Sequence, residues 1–123
     1  MSYFLLLALN LAHFLGDFTP LNKWFIAAKQ YGKPVWLVAS HGAVNGALYG
    51  VAAGLFAGMK AALLAFIIET VSHTIIDVLK GRINKRFPVL QDVGKPGHWI
   101  IMGADQFLHQ MVLIFIVFLC FKF

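Results

Sequence analysis

Apolar residues fill four stretches of the chain, residues 3–18, 35–58, 61–79 and 99–121, and polar and basic residues collect between them. Each stretch approaches the roughly 20 residues that a helix needs to cross hydrocarbon, the first being the shortest. The pattern predicts an all-α fold, an integral membrane bundle of four transmembrane helices that forms a single transmembrane domain over residues 1–123. Only Gly58, Met59 and Lys60 separate the second and third stretches, which requires a tight antiparallel hairpin there. The connection 19–34 reads as an amphipathic interfacial helix, with Trp24, Phe25 and Ile26 toward lipid and Lys23, Lys29 and Lys33 toward headgroups. The connection 81–98 carries Arg82, Lys85, Arg86 and Lys95 against a single Asp92.

Within the second stretch, Gly42, Gly46, Gly50, Gly54 and Gly58 recur every fourth residue and line one helical face. Lipid gives helices no hydrophobic reason to associate, so close packing must substitute, and a stripe of hydrogen atoms permits it. The expected neighbour is another span or a second copy of the chain in a homo-oligomer.

Composition agrees with a membrane solvent. Of 123 residues, 60% are hydrophobic and 12% charged, against roughly 45–50% and 25% in an ordinary soluble domain. Ten Lys and Arg against five Asp and Glu give a net charge of +5. These basic residues fall between apolar runs, where they set topology and touch anionic lipid. No basic stripe is interleaved with aromatics, so membrane lipid, not nucleic acid, is the expected partner. Both basic connections are expected on the cytoplasmic side and both termini outside. Trp24, Trp36 and Trp99 mark the same boundary, as an interfacial aromatic belt would. The single Cys120 excludes an internal disulfide. The first twelve residues have no basic residue ahead of the apolar run and no small-residue cleavage site, so they are expected to be retained.

The ionisable residues inside the spans change the picture. His13 and Asp17, His41 and Asn45, His73 and Asp77, and Asp105 and His109 are each four residues apart, so each pair lies on one helical face. The chain alternates in direction from span to span, and each pair falls toward the basic boundary, so all four share one half of the membrane. Charged groups facing lipid cost about 2.5 kcal/mol or more each, so these faces must turn toward one another or toward water. A bundle that turned them inward would gather four imidazoles and three carboxylates around one cavity. That is a donor set for zinc, manganese or iron(II), with more donors than one tetrahedral ion can use. One or two divalent ions are expected, held by His13, Asp17, His41, His73, Asp77 and His109. Asp105 is expected as a base or a further ligand, and Lys80 as a partner of Asp77 or a stabiliser of developing negative charge. Glu69 is the deepest acid and is expected to support the cluster, whereas His98 is placed at the interface. Ser40 and Ser72 each adjoin a His in sequence and so point to other faces, which gives a covalent serine mechanism no basis.

The string His13-Phe14-Leu15-Gly16-Asp17-Phe18, His41-Gly42, His73-x-x-x-Asp77-x-x-Lys80 and Asp105-Gln106-x-x-His109 resembles a family of small bacterial and phage integral membrane proteins of unknown function. The resemblance covers nearly the whole chain, with the motifs in the same order. It departs where the family often has a Gln a few residues after Gly-Asp-Phe, a stretch occupied here by Thr19-Pro20-Leu21-Asn22. The resemblance implies a four-helix membrane fold in the bacterial inner membrane. A looser similarity of His and Asp placement links it to small inner-membrane proteins described as metal-dependent hydrolases.

Three functions follow as expectations. The first is an intramembrane metal-dependent hydrolase acting on a lipid or lipid-linked substrate near headgroup depth. The second is a metal-ion or proton transporter or channel, for which rows of His, Asp and Glu are suited. It is disfavoured because the opposite half of the spans offers mainly Ala, Leu, Ile, Phe and Val. The third is a non-catalytic membrane modulator in which the cluster only ties the bundle together.

Overall fold

The computed structural model describes residues 2–18 and 23–122, and every long element among them is a helix. Helix α1 is Ser2–Phe18, α2 is Lys23–Tyr31, α3 is Val35–Arg86, and α4 is Pro96–Cys120, with a short 3₁₀ turn at Pro88–Gln91 before α4. Residues 19–22, where the sequence departs from the family pattern, lie outside the described residues, as do the side chains of Lys23 and Phe25.

Local chemistry sets the helix ends. Gly32 takes φ +68° and its N–H bonds the Ala28 carbonyl at 2.8 Å, a left-handed residue that closes α2. α3 runs on until Phe87-Pro88, because a proline disfavours helical geometry in the residue before it. Pro96 opens α4 at a position where its missing N–H costs nothing.

α3 is not straight. At Gly58 the backbone takes φ 89° and ψ 179°, a region essentially reserved for glycine. The break divides α3 into arms of about 35 Å and about 42 Å at 1.5 Å per residue. They fold back on one another along the glycine stripe. A Cβ at Gly42 would run into Thr74, one at Gly46 into Thr70, and one at Gly50 would stand 3.1 Å from the Ala62 carbonyl oxygen. The neighbour of the stripe is therefore the return arm of the same chain. The expected connection from residue 81 is also corrected, since residues 81–86 continue the helix. Gly81 does not end it; its bare Cα accommodates the backbone of Gly32, so that α2 lies directly on α3.

α3 and α4 are long and apolar enough to cross a membrane, and α1 is a shorter apolar helix. Only 17% and 22% of the most apolar windows of α3 and α4 are buried within the molecule, whereas a soluble core helix would be mostly covered. Trp24, Trp36 and Trp99 are all exposed.

The interior is divided. Toward Gly58 it is apolar, built from Leu5, Leu9, Ala12, Tyr49, Ala52, Ala53, Ala61, Ala65, Leu113 and Ile116. Away from Gly58 it is polar, and there His13, His41, Glu69, His73, Asp77, Asp105 and His109 are all buried.

Candidate metal centre

All four polar pairs meet in that second half, each carried inward on one face of its helix. His73, from the return arm of α3, stands at the middle. Its Nδ1 lies 2.8 Å from Glu69 Oε1, one turn back, and both side chains are fully buried. A carboxylate at that distance accepts a hydrogen bond from Nδ1–H, and a neutral ring so held carries its lone pair on Nε2. That Nε2 is 3.1 Å from Asp17 Oδ1 and 3.2 Å from Asp77 Oδ2, yet among the described residues it has no aligned hydrogen-bond partner.

His41 closes the group from the first arm of α3. Its Nε2 is 3.1 Å from Asp17 Oδ1 and 3.9 Å from Asp77 Oδ2. Asn45, one turn on, bonds the same imidazole nitrogen at 3.3 Å and the His41 carbonyl at 3.1 Å. Asp17, His41, His73 and Asp77 thus form a quartet from three segments, with one donor atom of each within 4.8 Å of every other. For an ion at 2.0–2.1 Å from four donors, a tetrahedron has edges of about 3.3–3.4 Å. The cross-contacts of 3.1, 3.1, 3.2 and 3.9 Å bracket that value.

A second set adjoins the first. His109 Nε2 is 3.5 Å from Asp77 Oδ1 and 3.4 Å from Asp105 Oδ1. The imidazole rings of His73 and His109 have centroids 4.3 Å apart. His13 lies at the edge of both sets, its Nε2 3.0 Å from Gln106 Oε1 and 3.6 Å from Asp17 Oδ2. Gln106 in turn donates to Asp105 Oδ2 at 3.1 Å. His13, Glu69 and His73 also lie close enough to form a third donor group.

Two lysines border the cluster. Lys80 Nζ is 3.2 Å from Asp105 Oδ2, so its partner is Asp105 and not the Asp77 that sequence spacing offered. Lys29 is the correction of most consequence. Expected among headgroups, it turns inward, with Nζ 3.3 Å from Asp17 Oδ1 and 3.8 Å from Asp77 Oδ2. Burial works against its ammonium, but the charges of Asp77 and Asp17 outweigh that and hold its pKa above the ordinary lysine value.

Beside the cluster lies a cavity of about 360 Å³, lined by Asp17, Asp77, Lys29, Lys80, Asn84 and His98 together with Ile26, Ile101 and Met102. The 3₁₀ turn forms its rim. Gln91 bonds Gln30 of α2 and the Asn84 carbonyl of α3, and His98 donates from Nδ1 to the Leu90 carbonyl at 2.8 Å. His98, expected at the interface, is therefore part of the cavity wall.

Residues 5–123, which include all four polar pairs, match a family described as a protein of unknown function, DUF3307. The chain belongs to that family. No curated protein and no solved structure matches it. The DUF3307 match agrees with the expectation of an uncharacterised family and carries no activity of its own.

The sequence pattern does not mark Lys29 as part of this site, nor Gln106 as the partner of His13. The signal for Lys29 is the pair of small residues Ala28 and Gly32, one turn apart; Ala28 is buried, and Gly32 lies with the Lys29 carbonyl against Gly81. Lys29, next to Ala28, is carried toward the cluster by that contact.

Proposed function

We propose that the protein is an intramembrane metal-dependent hydrolase that acts on a lipid or lipid-linked substrate. The supporting observation is the quartet. His73 Nε2, made a lone-pair donor by Glu69, converges with two carboxylates and a second imidazole at the separations of a metal coordination shell. Asp17 Oδ1 accepts hydrogen bonds from His41 and Lys29, but among the described residues His73 Nε2 and both Asp77 oxygens are buried without a hydrogen-bond partner, and a cation among them would satisfy all three. Asp17, His41, His73 and Asp77 hold it, and His109 and His13 complete the surrounding set.

A divalent ion in this cluster, where a ligand place is left to water, would lower the pKa of that water toward neutrality and polarise an ester or phosphoester oxygen. Asp105 is the carboxylate at hand to accept a proton or to serve as a further ligand. Lys80 supplies positive charge where an oxyanion develops. The cavity between Lys29 and Lys80 takes the anionic part of the substrate, and its apolar wall of Ile26, Ile101 and Met102 suits a lipid chain.

The chain crosses the membrane four times in this reading. The spans are α1, the two arms of α3 and α4, with α2 in the interface and the exposed Arg82, Lys85, Arg86 and Lys95 on the cytoplasmic side. The membrane is the bacterial inner membrane, both termini face outward, and the site opens near headgroup depth. The apolar packing of Leu5, Leu9, Leu113 and Ile116 beyond the cluster weighs against a transport path, because nothing there replaces the hydration of an ion.

The experiment is metal analysis of the detergent-solubilised protein by plasma mass spectrometry, beside His73→Ala and Asp77→Ala. The expected result is bound transition metal in the wild type, lost in both variants, with hydrolysis of phospholipids or lipid-linked phosphates that follows the metal. A wild type that takes up no zinc, manganese or iron(II) on reconstitution refutes the reading.

A further inference from the structure

Asp77 presents its two carboxylate oxygens to two different sets of donors. Oδ2 belongs to the quartet, 3.2 Å from His73 Nε2. Oδ1 meets another imidazole, 3.5 Å from His109 Nε2, and that nitrogen is 3.4 Å from Asp105 Oδ1. The three side chains are 1%, 1% and 4% exposed, so bulk water does not reach them. Yet, among the described residues, Asp77 Oδ1, His109 Nε2 and Asp105 Oδ1 all lack a hydrogen-bond partner. A proton on His109 would serve at most one of the two oxygens, and the ring is aligned with neither. Buried polar atoms left this way in a native interior point to a missing group.

We infer that a second divalent cation binds between Asp77, Asp105 and His109, with Asp77 bridging it to the ion of the quartet. The inference rests on the metal reading given above and extends it to a paired centre. One imidazole and two carboxylates suit zinc, manganese or iron(II). Two-metal hydrolytic sites hold their ions about 3.5–4 Å apart, a spacing that a carboxylate using both oxygens can bridge. The two positions are unequal. The quartet supplies a full tetrahedral shell, whereas the second position has three protein donors and one place open, the arrangement of catalytic rather than structural sites. Asp105 then serves as a ligand through Oδ1, while Lys80 at 3.2 Å and Gln106 at 3.1 Å steady Oδ2.

Charge separates the two ions further. With Asp17, Asp77, Asp105 and Glu69 ionised and Lys29 and Lys80 protonated, one divalent ion brings the cluster to neutrality. A second leaves an excess of two positive charges. The second ion is therefore the weaker, and an anion in the cavity tightens it.

Titrating Mn(II) into the detergent-solubilised full chain, followed by electron paramagnetic resonance, tests this. Two equivalents are expected, the second weaker and strengthened by inorganic phosphate, with spin coupling that appears as the second binds. Asp105→Asn and His109→Gln, each nearly isosteric, should take up one equivalent and show no coupling. Circular dichroism selects whichever variant keeps wild-type helicity. Saturation of the wild type at one equivalent overturns the inference, as does uptake of two coupled equivalents by a folded variant. If that one equivalent is tight and His41→Ala abolishes it, the quartet stands and only the second position falls. No uptake at all by the wild type removes both.

Discussion

Glu69 offers a quantitative test of how the cluster is organised. Its carboxylate is fully buried and, among the described residues, its hydrogen bond to the proposed metal donors is the one it accepts from His73 Nδ1 at 2.8 Å. Removing such an outer carboxylate typically lowers metal affinity 10- to 100-fold, or about 1.4–2.7 kcal/mol. Two parts of that effect can be separated. Glu69→Gln keeps an oxygen in place to hold the ring and its tautomer but removes the charge that makes Nε2 more basic, so a loss of about tenfold is expected. Glu69→Ala removes both and frees the ring, so its loss approaches 100-fold. Stoichiometry stays at the wild-type value in each, because no donor atom is deleted. Zinc competition against a chromophoric chelator, on protein in one detergent, measures both. If Glu69→Ala bound zinc as tightly as the wild type, Glu69 would not organise His73. If it bound none, like His73→Ala, Glu69 would be a ligand and the assignment of roles would be wrong.

Lys29→Met should bind metal about tenfold more tightly or better, because it removes an ammonium that shares the quartet's two oxygens; calorimetric titration showing unchanged or weaker binding would count against this. The same variant should turn over an anionic substrate more slowly, as the cavity loses a positive wall. Gly58→Ala places a side chain where φ is 89° and ψ is 179° with nothing nearby to clash, so the cost is conformational alone, about 1–3 kcal/mol. A melting temperature lowered by several degrees with unchanged metal content is expected, and an unchanged melting temperature would show that the turn tolerates alanine. Stripping metal with a chelator should lower the melting temperature of the wild type, and metal at about 100 times its Kd should restore about 2.7 kcal/mol; a His41→Ala and His109→Gln double variant should show no such response.

The gathering of the cluster was legible because two independent regularities constrain it. A spacing of four puts each pair on one face of a helix, and alternation of chain direction puts all pairs at one depth. Neither depends on how the helices are rotated, and for spans in lipid the cost of exposed charge would supply the rotation. The hairpin was legible for a similar reason: between two long apolar runs only residues 58–60 were available to turn, and Gly58 alone makes the break. What stayed hidden is set by contacts between elements. The length of α3 past Leu79 could not be read from hydropathy, because residues 81–86 are polar enough for a loop and are helical with no proline before Pro88.

Lys29 shows where pattern stops and packing begins. An amphipathic helix with Trp24 and Ile26 on one side and lysines on the other reads as lying on headgroups, and both apolar side chains are indeed exposed. Its other face is decided by Gly32 and Gly81, whose backbones approach closely enough that a Cβ at Gly81 would strike the Gly32 nitrogen. That contact presses α2 against α3, and Lys29 then has two buried carboxylates within reach where an exposed helix would offer only water. The attraction of Asp17 and Asp77 outweighs the desolvation of its ammonium. A lysine drawn inward this way puts a positive charge on the oxygens that the proposed ion needs. It follows that an ion must displace or share with that ammonium to bind, and an ammonium so released into the cavity is placed to meet an anionic substrate.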